Sequence, residues 1–261
     1  MTDRKRTYQR QKPDPVEVNY RMAYVGTITA HGCDGEALVT RRYAAGNDED
    51  PARLGGQMAA DLHRWLQLDP GLAVGIVQDG APEMWNVLRT ALRQEPLVEN
   101  WYETIDRYHL NERLGDVLKL TEPKPELRVG QLSRWNDSLD GNDNAIYRIR
   151  QSLRDKHADA ISNGDQQLAE ALKPHVTYLE NNAHLMRYAR VIEAGLPVGS
   201  GATEGACKSV IELRTNGSGQ RWRPKGLHAV LSMRAIYMSG RLPLFWSHLS
   251  RRYRQEVRNA A

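Results

Sequence analysis

The chain has 261 residues, 40% of them hydrophobic, which suffices for one large domain or two modest ones with a buried core. Its 36 basic and 32 acidic side chains leave a formal charge of +4 and an isoelectric point near 9.1, a mild excess whose meaning depends on where it clusters. Cys33 and Cys207 are the only cysteines, which excludes a disulfide framework or a zinc spacing. No apolar stretch reaches the roughly 18 residues of a membrane span, and the charged N-terminus lacks a signal-peptide core, so a cytoplasmic protein that stays with the nucleoid is expected.

Residues 1–19 are basic and broken by Pro13 and Pro15, which predicts a loop. Tyr20 to Thr29 and Ala37 to Thr40 are β-prone runs around Gly32-Cys33-Asp34-Gly35, the chemistry of a hairpin turn. Leu54, Met58, Leu62 and Trp65 recur at helical spacing and predict an amphipathic helix over 50–65. The apolar run Leu72 to Gln78 reads as a strand ending at Asp79. Pro82 suits the first turn of a helix that continues through Met84, Trp85, Leu88 and Leu92. Trp101 to Ile105 is a short strand running into Asp106-Arg107-Tyr108-His109. The order strand, strand, helix, strand, helix, strand predicts an α/β core with mixed pairing over 20–109. Residues 110–190 carry helical pattern broken at Pro123, Pro125 and Gly141-Asn142-Asp143, and read as an all-helical insertion. Two helices follow within 191–250, separated by Asn216-Gly217-Ser218-Gly219. The second buries Leu227, Val230, Leu231 and Met238, and 251–261 reads as a basic tail.

The most informative stretch runs from Gly195 to Lys208, where a glycine-rich turn opens a helix with Glu204 just inside it. A carboxylate so placed can hold a metal, or can simply stabilise the helix N-terminus through its dipole. Asp79 is open to two readings as well. It is a metal ligand at the carboxyl end of a strand, where α/β sheets gather their ligands, or a cap for the helix near Pro82. Hard divalent cations such as Mg²⁺ take carboxylate oxygens, and two such ions activate the attacking oxygen and stabilise the leaving oxygen of a phosphodiester. Asp106 and His109 form an Asp-x-x-His pair, either active-site support or a satisfied core or cap histidine. Lys208 can meet a phosphate or pair with Glu204 one turn away. From Arg214 to Arg254 no acid interrupts a block that includes Arg214, Arg221, Arg223, Lys225 and Arg234, suited to DNA phosphates or to a solvated face. Arg221 and Trp222 suggest a phosphate contact beside a stacking ring, against the bland alternative of a buried core tryptophan.

The segments VQDGAPEMWNVLR, DRYHLNERL, MRYARVIEAGLPVGSGATEGACKSVIELR and SGQRW resemble the C-terminal part of bacterial insertion-sequence transposases of the ISKra type, members of the DDE superfamily. The resemblance covers roughly residues 20–246. It implies an RNase H-like fold and makes Asp79 the second catalytic acid and Glu204 the third. It also implies two Mg²⁺ or Mn²⁺ ions and DNA partners in the form of element ends and target, with 110–190 as the insertion between the acids. It places Asp106 and His109 near the active site and the DNA. The family's first catalytic aspartate lies on a central first strand for which this sequence has no counterpart, so a truncated product or a misplaced start codon is expected, with the remaining strands lacking their shared neighbour.

The functional expectation is metal-dependent cleavage and joining of DNA at insertion-sequence ends. The alternative is an inactive remnant that binds DNA or pairs with a full-length transposase as an oligomer. A metal-dependent nuclease unrelated to transposition is a third reading.

Overall fold

The structure, a computed structural model, describes residues 22–46, 50–217 and 221–260. The basic segment expected over 1–19 and Ser218-Gly219 of the expected interhelical break lie outside the described residues. The chain is mixed α/β and mostly helical. No helix among the described residues is long and apolar enough to cross a membrane.

The expected hairpin forms from β1 (Ala23–His31) and β2 (Ala37–Gly46), antiparallel and in register from Ala23 opposite Gly46. Gly35, with φ of 81°, closes the turn by donating its N–H to the Gly32 carbonyl. Side chains alternate across the pair. Tyr43 and Ala45 pack on one face against Leu54 and Met58, and Ala44 packs on the other against Ala206, Val210, Leu231 and Ala235.

Helix α1 (Pro51–Leu68) starts where Asp50 accepts the Ala52 N–H and Pro51 takes the first helical position. Its buried line is Leu54, Met58 and Leu66 with Leu62 partly covered, so Leu66 takes the inward place expected of Trp65. Then β3 (Gly75–Gln78), α2 (Pro82–Arg93) and β4 (Tyr102–Ile105) make a βαβ unit whose strands pair in parallel, Gln78 opposite Ile105. Arg89 of α2 grips Glu103 of β4 through two hydrogen bonds of 2.8 and 2.6 Å, and Trp101 Nε1 donates to the same carboxylate.

Among the described residues β1 pairs with β2 and β3 with β4, and no ladder joins the two pairs. The mixed sheet expected from sequence is therefore divided into one antiparallel and one parallel pair, because no strand among the described residues lies between them.

The helical region consists of α3 (Arg107–Thr121), α4 (Pro125–Gly141), α5 (Ala145–Ser162), α6 (Gln166–Asn182) and α7 (Tyr188–Glu193), broken at the prolines and the Gly-Asn-Asp turn as expected. It shares one core with the βαβ unit: Ile76, Trp85 and Ile105 pack with residues such as Leu114, Ile146, Leu172 and Tyr188.

Gly195, with φ of 73°, ends α7 and lets the Leu196 N–H reach back to the Val191 carbonyl. Helix α8 (Gly201–Ala206) continues through a π-helical segment, Cys207–Glu212, into α9 (Leu213–Thr215). Helix α10 (Pro224–Met238) buries Leu231 and Ala235, with Leu227 and Met238 partly covered and Val230 half-buried. Arg41 and Arg42 donate to the Ser239 and Met238 carbonyls at its end, a favourable place for cations. The expected basic tail is instead part of a long helix, α11 (Leu242–Ala260), on which Leu244, Trp246, Leu249, Tyr253 and Val257 are all exposed. Asp61 of α1 accepts from Tyr43 of β2 and from Arg241 just before α11, joining three parts of the chain.

Candidate functional site

The parallel pair brings two acids to one edge. After Gln78 and Ile105 pair, the Asp106 N–H still donates to the Gln78 carbonyl at 2.7 Å, so Asp79 and Asp106 leave the strands side by side. Asp79 is exposed. Its Oδ1 accepts the Ala81 N–H at 3.0 Å, while its carbonyl accepts from the Tyr178 hydroxyl at 3.5 Å. The loop it opens contains Gly80 at φ of 105°, a conformation that other residues rarely adopt.

Asp106 is fully buried and caps α3. One carboxylate oxygen accepts the His109 N–H at 3.0 Å and the other accepts the Ser200 N–H. Burial by itself pushes this carboxyl up, but the hydrogen bonds from Ser200 and His109 outweigh it and hold the group below the usual aspartate range. The Arg107 N–H donates to the Val198 carbonyl at 2.9 Å, so two bonds clamp the glycine-rich turn onto the start of α3. A third tie, Thr27 to Thr203 at 2.7 Å between hydroxyls, fixes α8 on β1. These contacts set where Glu204 lies.

Asp106, His109 and Glu204 thus converge, each offering one ligand atom within 4.8 Å of the others. His109 Nδ1 lies 3.2 Å from Asp106 Oδ1 without the alignment of a hydrogen bond, and Ser200 Oγ approaches Glu204 Oε1 at 3.4 Å. Asp79 stands outside this group but near it. Burial raises the Cys207 thiol pKa first, and the negative charges of Glu212, Glu204 and Asp79 raise it further. The residues whose ligand atoms converge on Glu204 are thus Asp106 and His109, and Asp79, the expected metal partner of Glu204, is not among them. Two carboxylates and one imidazole suit a divalent cation, and the nitrogen donor favours Mn²⁺ or a later metal over Mg²⁺.

Lys208 lies on the π-helical segment and is exposed. Arg214, Arg221 and Arg223 are exposed, and Trp222 is 39% exposed and so lies outside the core. Tyr178 and Ser200 went unrecognised in the sequence. Ser200 had a signal as the residue opening a helix after a glycine turn, whereas Tyr178 had none. No family model, curated protein or solved structure matches the chain.

Proposed function

We propose that this chain is the catalytic part of a DDE-type transposase, RNase H-like in arrangement, which cuts and joins DNA at the ends of an insertion sequence. The observation that carries the reading is the convergence of Asp106, His109 and Glu204, with Asp79 on the neighbouring strand end. A divalent cation held there would polarise a phosphodiester and favour an ionised attacking oxygen near neutral pH. Glu204 and His109 would hold it, Asp106 orients both by capping α3 and clamping the turn, and Asp79 lies at the neighbouring strand end. Lys208 and the arginines of the C-terminal block bind backbone phosphates and align the strand. Water, and afterwards a DNA 3′-hydroxyl, attacks phosphorus in line; the bridging oxygen leaves with its electron pair and takes up a proton.

A second reading has specific support: both carboxylate oxygens of Asp106 already accept backbone N–H groups, as they do in a purely structural clasp. That reading makes the chain a DNA-binding protein without cleavage, acting alone or by pairing with a full-length transposase. Nicking of supercoiled DNA carrying the terminal repeats separates the two. With Mn²⁺ the wild-type chain nicks, Glu204→Gln and Asp79→Asn lose the activity, and His109→Ala binds Mn²⁺ at least about tenfold more weakly. Equal nicking by all three chains, or none by any, leaves the non-catalytic reading.

A further inference from the structure

Away from the carboxylates, residues of α9, α10 and the start of α11 line a wide, open surface groove of about 570 Å³. Its lining includes the apolar Val230 and Met233 and two aromatic residues, Trp222 and Tyr237, the latter 67% exposed. The indole is held in place, its Nε1 donating to the Arg214 carbonyl at 2.9 Å. Arg214 and Arg234 line the same groove, and Arg221 and Arg223 flank Trp222 in sequence. Between Glu212 and Glu256 the sequence holds no acid, so this segment itself contributes no anion to the groove.

We infer that this groove takes a nucleobase unstacked from single-stranded DNA. The reasons are chemical. Every base has a π-face, which a fixed indole ring matches, and the apolar lining replaces the stacking neighbour that the base loses. The phosphates on either side of such a base carry charge that the surrounding guanidinium groups complement, while a neutral apolar peptide segment leaves those groups without partners. The volume falls in the usual range for small-ligand sites. The inference rests on the DNA-directed reading above and deepens it by naming a second element of substrate recognition, remote from the cleavage chemistry.

The test uses the full chain in EDTA, so that no metal-dependent step enters. An oligothymidylate with iododeoxyuridine at one internal position is photocrosslinked and the attached peptide mapped. Attachment at Trp222 or Tyr237 supports the inference, and attachment only elsewhere overturns it. In parallel, Trp222→Ala weakens single-strand binding about five- to a hundredfold and leaves duplex affinity and its salt dependence unchanged. Trp222→Phe, which keeps a ring, recovers most of the loss. Equal weakening on single strands and duplex, or no weakening, overturns the base pocket while the DNA-directed reading stands. Absence of binding to any DNA by the wild-type chain at low salt overturns both.

Discussion

At the residue scale, the same carboxylate chemistry serves two ends three positions apart, within β4 and just after it. Asp106 uses both oxygens on backbone N–H groups and so fixes geometry, whereas Glu103 uses its own on side chains. Hydrogen bonds from Arg89 are the largest influence on Glu103 and lower its pKa; burial opposes them, and Trp101 adds to the lowering. A carboxyl whose pKa is lower in the folded than in the unfolded chain stabilises fully above its unfolded value, roughly 4.3, and stops doing so as pH falls through the lower folded value. Glu103→Gln therefore costs about 1 to 2 kcal/mol at neutral pH. Thermal midpoints of the two chains, well separated at neutral pH, should converge as the pH drops below that range. A separation that persists in acid assigns the effect to shape and not to charge.

At the scale of elements, Asp61 shows how distant pieces are held. Its carboxylate meets the Tyr43 hydroxyl, Arg64 and Arg241, tying α1 to β2 and to the chain entering α11. Burial, followed by the hydrogen bond to Asp61, raises the Tyr43 pKa strongly, so the phenol stays protonated and donating. Asp61→Ala strands a guanidinium and a hydroxyl, and should cost about 3 kcal/mol, read as a lower urea midpoint. Asp61→Asn, which still accepts from Tyr43, should recover part of it. This was not legible in the sequence, because Asp61 sits in α1 as one more charged residue and Arg241, the partner that ties it to α11, lies 180 positions along the chain. Other elements were legible for local reasons. The hairpin announced itself by its turn, α2 by proline at the first helical position, and the limits of α4 by the breaks at Pro123, Pro125 and Gly141-Asn142-Asp143. Glu204 was placed correctly because a glycine turn and a helix start lie next to each other in sequence. The π-helical segment was not legible, since Cys207 to Glu212 carries an ordinary helical composition; within it Val210 is buried against the hairpin residue Ala44.

At the scale of the whole molecule, the site draws on β3, β4, α3 and α8, which a pattern read along the chain lists in order but does not assemble. The Asp-x-x-His pair was visible in sequence, yet its nearness to Glu204 follows from the clamp between Ser200 and Asp106, a contact across the fold. The basic block was also visible, but its division into a groove and a helix was not. That helix, α11, gives the molecule a practical property. Its apolar residues Trp246, Leu249, Tyr253 and Val257 are all exposed, and it carries Arg251, Arg252, Arg254 and Arg258. A segment with so little burial opens at small free-energy cost, and opening is what a protease requires. Among the bonds of α10 and α11, trypsin under native conditions should cut first after these arginines, leaving a trimmed body that still carries Asp79, Asp106, His109 and Glu204. Mass spectrometry of the early products checks this, and resistance at those arginines means that something covers the helix in solution. The outer half of the last helix is thus a removable handle, and nature or the experimenter can take it off without dismantling the cluster of acids.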